Sequence, residues 1–545
     1  MYGFKKPLVL LFFILSYAIR YCTFGNDALW LIFASLLTLT VLLALGTYDH
    51  DYWSNRGVFS PPAWPFVGHI WSSITFKEQA GLCYKRIYDA HKDKRILGTH
   101  QFYVRTLLVC DPELIRKICV NDFQHFVDRG MYFNREVDPL AESVLYLRGG
   151  EWKKLRAKIS PLFSPNKLRG MYPLIETTAD DFVAKIKNLL EGFQNGGVFK
   201  CEKLAGGFTA DAIVPCAFGV KSHVMHNDHD PFAVALHAFY ELSPSNILQK
   251  TMLHFWPKFA MFFRMRNIPK KTQDFFYDVV TNVLRSRERG ELEKRGDFID
   301  MMMALRQDDN NNNSSNNKTI EKDDTQITDM IISANAFIIF LGGFETTSST
   351  LAFMLLELAA DPRVQDAMRR EVMEVLTRNG GHVSYDQLQE LTYMDMVINE
   401  TLRLYPPFAT IQRQCTKDYT IPGTKVVVEE GTILMFPTLA IQRDEQYFEQ
   451  ASAFIPERWR RAPPPGVFMP FGDGPRYCLG KRFAILQMKC CLVRLLSNFS
   501  FSPAPNKSGD MLAERAEPFP ADARSPITFH PADSTLKISL LPRNT

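Results

Sequence analysis

The run FMPFGDGPRYCLG, residues 468 to 480, restricts this chain more than any other stretch. It sets a lone cysteine, Cys478, among glycines at 472, 474 and 480, just ahead of a helical segment that begins near Lys481 (KRFAILQMKCCLVRLL). Glycines let backbone N–H groups approach a sulfur or a flat group closely. The dipole of a helix that starts there favours a negative thiolate. An isolated cysteine before a helix is most often a buried structural thiol, and Cys478 taken alone carries that reading. Gly472-x-Gly474 does not open a dinucleotide fingerprint, because no glycine stands at 477 and no strand precedes it.

The other cysteines form no pattern of their own. The chain has 10, scattered from Cys22 to Cys491 without a C-x-x-C pair. A disulfide framework or a structural zinc site is not expected, and a reducing compartment is the simpler reading. Cys490 and Cys491 read as small core residues. With 46% hydrophobic and 22% charged residues over 545 positions, the chain can bury a large core. A net charge of +4 gives no general case for nucleic-acid binding, so basic function must be local.

Ala28–Leu45, ALWLIFASLLTLTVLLAL, carries no charge and is long enough for a membrane-spanning helix. The earlier run Pro7–Ile19 lies between Lys5, Lys6 and Arg20 and is short for a crossing. One span with the earlier run in the interface is favoured over a hairpin of two. A cleaved signal peptide and an Arg-rich transit peptide both fit less well. The expected division is a membrane anchor over 1–50, a proline-rich hinge over 51–70 (Pro61, Pro62, Pro65) and a catalytic domain over 71–545.

Helical patterns dominate the rest, for example over 151–170, 172–190, 325–360 and 362–378. Strand-like runs such as Lys425–Val428 and Leu536–Leu540 are short. Asp308–Asn317, DDNNNNSSNN, reads as a flexible loop between helices, and the sequons at Asn313 and Asn399 carry no weight unless the domain is luminal.

Further motifs flank the cysteine loop. Within the apolar helix over 331–360, LGGFETTSST puts Gly342 and Gly343 side by side, each costing about 1 kcal/mol relative to alanine. Such a pair suits either backbone close to a flat ligand or a close helix crossing. Thr346, four residues after Gly342, can hydrogen-bond its carbonyl and loosen the helical ladder. In MVINETLRL, Glu400 and Arg403 sit at i, i+3 and can pair. Pro456-Glu457-Arg458-Trp459 follows. In GEWKKLRAKISP, Trp152 and Arg156 share a helix face at i, i+4.

Phe471, Gly474, Arg476, Cys478 and Gly480 match F-x-x-G-x-R-x-C-x-G, and W-x-x-x-R, G-G-x-E-T-T, E-x-x-R and P-E-R-W stand around it in order. On these residues the chain resembles the cytochromes P450 over most of its length. The run GGEWKKLRAKISPLFSP is similar to microsomal detoxifying members, insect ones in particular. The resemblance implies a mainly α fold with a smaller β portion and an N-terminal transmembrane helix. It implies heme b (iron protoporphyrin IX; haem) with Cys478 as the metal ligand. Phe471 would cover the sulfur, Gly474 and Gly480 would let the loop approach the porphyrin, and Arg476, Trp152, Arg156 and Arg413 would hold the propionates. Gly342 and Gly343 would lie beside the haem, and Glu345 and Thr346 would be the acid–alcohol pair that protonates bound oxygen. Glu400, Arg403 and Arg458 would form a buried structural triad.

The implied enzyme is a monooxygenase that inserts one atom of O2 into a hydrophobic small molecule. Electrons would come from NADPH through a separate NADPH–cytochrome P450 reductase, with cytochrome b5 as a further donor. The place implied is the endoplasmic reticulum membrane, with the catalytic domain facing the cytosol. A haem-thiolate isomerase or dehydratase, which Thr346 argues against, and a non-catalytic haem-binding protein are the alternatives. Lys153, Lys154, Lys158, Lys481 and Arg482 are expected to form a basic patch for an acidic donor. Phe337, Phe344, Phe408, Thr410 and Ile411 are candidate pocket residues. The sequence departs from its relatives at Gln442, where they often carry histidine, in the short segment between Trp459 and Phe468, and in the long polar stretch 503–530.

Overall fold

The computed structural model describes residues 27–193, 195–241, 243–315, 326–504, 518–525 and 528–541. Helices make up most of them, and the strands form three small sheets. The four-stranded sheet runs β1 (Ile96–Gln101), β2 (Val104–Val109), β7 (Ile433–Phe436), β4 (Ile411–Gln414). The three-stranded sheet runs β3 (Gly197–Lys200), β9 (Thr535–Leu540), β8 (Phe499–Pro503), and β5 (Tyr419–Thr420) pairs with β6 (Val427–Val428). The expected mainly α class with a smaller β portion is what the fold has.

The central element is the long helix Asp329–Ala360. The Thr328 hydroxyl caps its start by accepting Ile331 N–H at 3.2 Å, and Asp361 followed by Pro362 ends it. It is apolar on nearly every side, so neighbours surround it. The helices Cys201–Phe218 and Lys270–Glu288 pack on it, as do Thr392–Leu404 and Lys481–Leu496. One core fills the space among these helices, and a second packs around the four-stranded sheet.

The boundaries differ from expectation where local chemistry decides. The helix expected over 151–170 ends at Ile159, because Ser164 is extended before Pro165, where the next helix starts. That helix, Pro165–Leu190, continues through Pro173 and buries Leu168, Met171, Ile175 and Phe182 on one face. The loop expected over 308–317 is a correction. The helix Phe298–Ser315, rooted by buried Phe298, Ile299 and Met302, carries on through the asparagines, and Lys158 pairs with Asp309 at 2.7 Å. The side chains of the Asn313 sequon lie outside the described ones.

The N-terminal helix runs Asp27–Thr47, but its described apolar part, Ile32–Thr47, is short for a span. The one described helix long and apolar enough to cross a membrane is Asp329–Ala360, half buried as a core helix. The geometry therefore does not establish the expected transmembrane helix. The run Pro7–Ile19 lies outside the described residues.

The proline segment is no free tether. Trp53 is 1% exposed, donates to Thr99 O at 3.2 Å and covers Gly98, whose missing side chain leaves room for the indole. Asp49 takes two hydrogen bonds from Arg105, and Glu429 accepts from Arg56 at 2.6 Å and Tyr52 at 2.9 Å. Phe66 N–H reaches back to Gly46 O at 2.9 Å.

Candidate active site

The cysteine loop is shaped by its glycines. Gly472 and Gly474 have φ of 73° and 69°, a region that disfavours side chains. A Cβ on Gly474 would also collide with the Cys119 carbonyl. Asp473 accepts from Gly474 N–H at 2.7 Å, and Cys478 N–H donates to Phe471 O at 2.8 Å, closing the loop. Gly480 caps the helix Lys481–Leu496, and a Cβ there would meet nothing within 4 Å. Burial pushes the Cys478 thiol up, while the Gly480 backbone and the charges of Arg129, Arg156 and Lys481 pull it down. The Phe471 ring lies 5.6 Å from Lys481 Nζ.

Arginines converge on this loop from separate elements. Arg476 is 2% exposed and donates to Val127 O at 2.8 Å and Leu147 O at 2.9 Å. Its guanidinium lies 3.8 Å from the centroid of the Trp152 ring. Arg156, one turn further along the helix Gly149–Ile159, donates to Tyr477 O at 3.1 Å. Arg413, on β4, is 2% exposed, and its buried Nε has no partner among the described residues. Arg129 donates to Arg476 O at 3.0 Å.

Burial, joined by mutual repulsion, lowers Arg129 to about 9 and Arg476 to about 8. Asp128 lies 3.5 Å from Arg476 and also accepts Gly149 N–H at 2.9 Å. Arg129 and Asp128 were not singled out from the sequence. The available signal was D-R-G, with Gly130 at positive φ.

A buried excess of guanidinium charge beside a thiol needs anionic partners. Haem fits this donor set: its propionates would meet the arginines, including the orphaned Arg413 Nε, and its iron a cysteine sulfur.

On the long helix the adjacent glycines divide the two roles expected of them. A Cβ on Gly342 would meet nothing within 4 Å, whereas one on Gly343 would sit 3.0 Å from Ile213. Gly342 therefore borders open space, and Gly343 serves the crossing with the helix Cys201–Phe218. Thr346 Oγ1 donates to Gly342 O at 2.6 Å, but the helix stays continuous there, so the expected loosening is absent. Glu345 accepts hydroxyl hydrogen bonds from Tyr240 and Thr528.

Of the candidate pocket residues, Phe337 is a correction. It is 2% exposed and packed in an aromatic core against Phe276 and Phe239. Phe344 stacks on Phe340 and is part-buried, as are Thr410 and Ile411. Phe408 is 43% exposed between buried Pro407 and Ala409. In the basic patch, Lys153, Lys154, Lys481 and Arg482 are exposed, while Lys158 is engaged by Asp309.

Beneath the loop, Glu400 and Arg403 are fully buried and paired at 2.9 Å. Glu400 also accepts from Arg458 Nε and Trp459 Nε1, both at 2.9 Å, and from Ile455 N–H at 2.8 Å. Arg403 donates to Gln442 O at 2.8 Å and Ala451 O at 2.7 Å. The Gln442 side chain in turn donates to Leu402 O and Arg403 O, each at 3.0 Å, and accepts Met469 N–H at 3.1 Å. It joins the Glu–Arg helix to the start of the cysteine loop.

Comparison with known proteins gives the same answer. The family model described as Cytochrome P450 matches residues 59–517. Cytochrome P450 6a2 of Drosophila melanogaster is 31% identical, covering 86% of this chain and 92% of its own. Cytochrome P450 6B1 of Papilio polyxenes is 30% identical, covering 87% and 94%. Cytochrome P450 6B2 of Helicoverpa armigera is 29% identical, covering 89% and 95%. With these motifs, this fold and insect relatives along nearly its whole length, the chain belongs to the cytochrome P450 family as a haem monooxygenase of insect type.

Proposed function

We propose that this monooxygenase binds heme b through Cys478 and oxidises a hydrophobic small molecule, a xenobiotic or an endogenous lipid or hormone. The observation that carries this reading is the set of arginines 129, 156, 413 and 476 gathered at the Cys478 loop, where Asp128 and Asp473 are the nearby carboxylates. When bound, the haem supplies oxygen activation and electron storage, with the thiolate favouring O–O cleavage.

The chain's own residues do the rest. Arg129, Arg156, Arg413 and Arg476 hold the propionates, and Trp152 backs Arg476. Phe471, Gly474 and Gly480 shape the thiolate side, where Gly474 has no room for a side chain. Gly342 leaves space on the oxygen side, and Gly343 seats its helix on Ile213. Thr346 presents a hydroxyl beside the oxygen site, and Glu345 handles protons. Phe344, Phe408, Thr410 and Ile411 border the substrate.

Electrons come from NADPH through a separate NADPH–cytochrome P450 reductase, with cytochrome b5 as a second donor. Both dock on the basic surface of Lys153, Lys154, Lys481 and Arg482. Residues 1–50 anchor the protein in the endoplasmic reticulum membrane, 51–70 connect, and 71–545 form the cytosol-facing catalytic domain. In support, Ile32, Leu36, Leu39, Leu42 and Leu43 of the N-terminal helix are all exposed.

The test is the reduced carbon-monoxide difference spectrum of wild type beside Cys478→Ser. The expected result is a red-shifted Soret band in the wild type that the variant lacks. A folded, haem-loaded wild type without that band would overturn the thiolate assignment.

A further inference from the structure

Glu345 is the inner member of a polar chain that leads outward. Its Oε1 accepts the Thr528 hydroxyl and lies 3.3 Å from His530 Nε2. Its Oε2 accepts the Tyr240 hydroxyl. Thr528 Oγ1 and His530 Nε2 are 3.0 Å apart. On the other side of the imidazole, His530 Nδ1 lies 2.7 Å from Glu202 Oε1, a close ion pair off the line of a well-directed hydrogen bond. The Glu202 side chain is 40% exposed, whereas those of His530 and Glu345 are 15% and 18% exposed. A solvent-facing carboxylate and an inner one are thus joined through one imidazole.

The backbone holds this order in place. Phe529 N–H donates to Pro407 O at 2.9 Å, and the Ser349 hydroxyl, one turn beyond Glu345, donates to Phe529 O. Asp522 N–H donates to His530 O at 2.8 Å, and the Ser525 hydroxyl to Thr528 O at 2.6 Å. Cys201 N–H donates to Ser534 O at 2.8 Å, which sets Glu202 beside the imidazole. Distant stretches of sequence are tied together at the point where the imidazole sits. Burial alone would lower His530, but the close contacts and charges of Glu202 and Glu345 outweigh it and push it up to about 9. Asp522 and Lys250 are the other charged groups that face this cluster, and Tyr240 is its titratable hydroxyl.

We propose that Glu202 and His530 form the solvent end of a proton path that reloads Glu345, which makes His530 a relay and positioning residue for the oxygen chemistry. The inference rests on the reading of Glu345 as the proton-handling group. The protonated imidazole gives its Nε2 proton to Glu345 Oε1 and is left as the Nδ1–H tautomer. The ring then turns to bring its bare nitrogen to Glu202, which has taken a proton from water, and accepts that proton. Protons alone are moved and no electron changes hands. With the outer carboxylate removed, the inner one is reloaded only by rarer routes, and reduced oxygen escapes as peroxide instead of being split.

The path is tested on the full-length holoenzyme with purified reductase. NADPH oxidised, O2 consumed and peroxide released are measured in H2O and D2O for Glu202→Gln, His530→Gln, Glu345→Gln and the double variant His530→Gln/Glu345→Gln. Histidine C2-hydrogen exchange, read by mass spectrometry without turnover, follows the protonation of His530. Both outer variants are expected to raise the peroxide share and the solvent isotope effect severalfold, with the carbon-monoxide band unchanged. The double variant should be no worse than Glu345→Gln, and His530 should titrate at lower pH in Glu202→Gln.

If Glu345→Gln is impaired while both outer variants match wild type, the path is overturned and the reading of Glu345 stands. If Glu345→Gln is itself harmless, both fall. A shifted His530 titration with no change in isotope effect or peroxide share leaves a structural charge pair and overturns the relay. Should His530→Gln fail to fold, Glu202→Gln at the exposed end carries the same test.

Discussion

The Arg476 guanidinium stands 3.8 Å from the centroid of the Trp152 ring. This contact makes the indole a platform for a buried cation whose other neighbours are mainly carbonyls. Trp152→Ala should therefore purify with less than half the haem of wild type, and Trp152→Phe should retain most of it. The pyridine haemochromogen assay against protein concentration checks both.

Arg129 should matter as much as the arginines that the motifs pointed to. Its charge is buried at the loop and it donates to Arg476 O at 3.0 Å. Charge-assisted hydrogen bonds of this kind contribute about 1.5–3 kcal/mol. Arg129→Leu should thus release haem roughly ten- to a hundredfold faster. Transfer of haem to apomyoglobin measures the rate.

The adjacent glycines of the long helix should respond differently to alanine. At Gly342 the new methyl meets open space, so helix propensity favours it by about 1 kcal/mol and the thermal midpoint should hold or rise. At Gly343 the methyl sits 3.0 Å from Ile213, and the midpoint should fall. Gly342→Ala should also alter carbon-monoxide rebinding, which Gly343→Ala leaves near wild type. Calorimetry and flash photolysis separate the two.

Gln442→Ala would strip the Leu402 and Arg403 carbonyls of a donor and Met469 N–H of an acceptor, all in the buried core. Unsatisfied buried groups cost about 1–3 kcal/mol each. The expected outcome is a strongly lowered unfolding midpoint and poor haem loading. Gln442→His can replace part of this bonding and should be the milder change.

His530 makes stability depend on pH in a defined direction. Its folded value of about 9 stands above the ordinary 6.5, so its contribution is full below pH 6.5 and is lost as pH rises through about 9. Wild type should lose thermal midpoint over that window, and His530→Gln should lose less. Thermal melts at fixed ionic strength give the comparison.

Much of the candidate site was legible because its residues lie in short local patterns. The glycine spacing around Cys478, the i, i+3 pair Glu400–Arg403 and the i, i+4 pair Trp152–Arg156 each fall on one element, where local rules apply. Arg129 and Asp128 were not legible, because their importance comes from β4, the helix Gly149–Ile159 and the cysteine loop meeting in space. His530 was hidden for the same reason, since Glu202 and Glu345 are far from it in sequence. Phe337 is expected at the pocket, yet its tilted ring contact with Phe276 places it in the aromatic core. The asparagine run reads as loop by composition, but the helix beginning at Phe298 already had enough buried anchorage to propagate through it.

The grip on the segment between the N-terminal helix and the body has a consequence of its own. Trp53 fills the place that Gly98 leaves vacant, and Asp49 and Glu429 fasten the chain around it. Residues 49 to 56, ahead of Pro61, are therefore part of the wall of the four-stranded sheet. The helix Asp27–Thr47 works as a handle and not as a leash, since any force that turns it also turns the β1–β2 hairpin. A shortened protein that begins after Trp53 would expose Gly98 and its neighbours, whereas one that begins at Tyr48 would keep that wall whole.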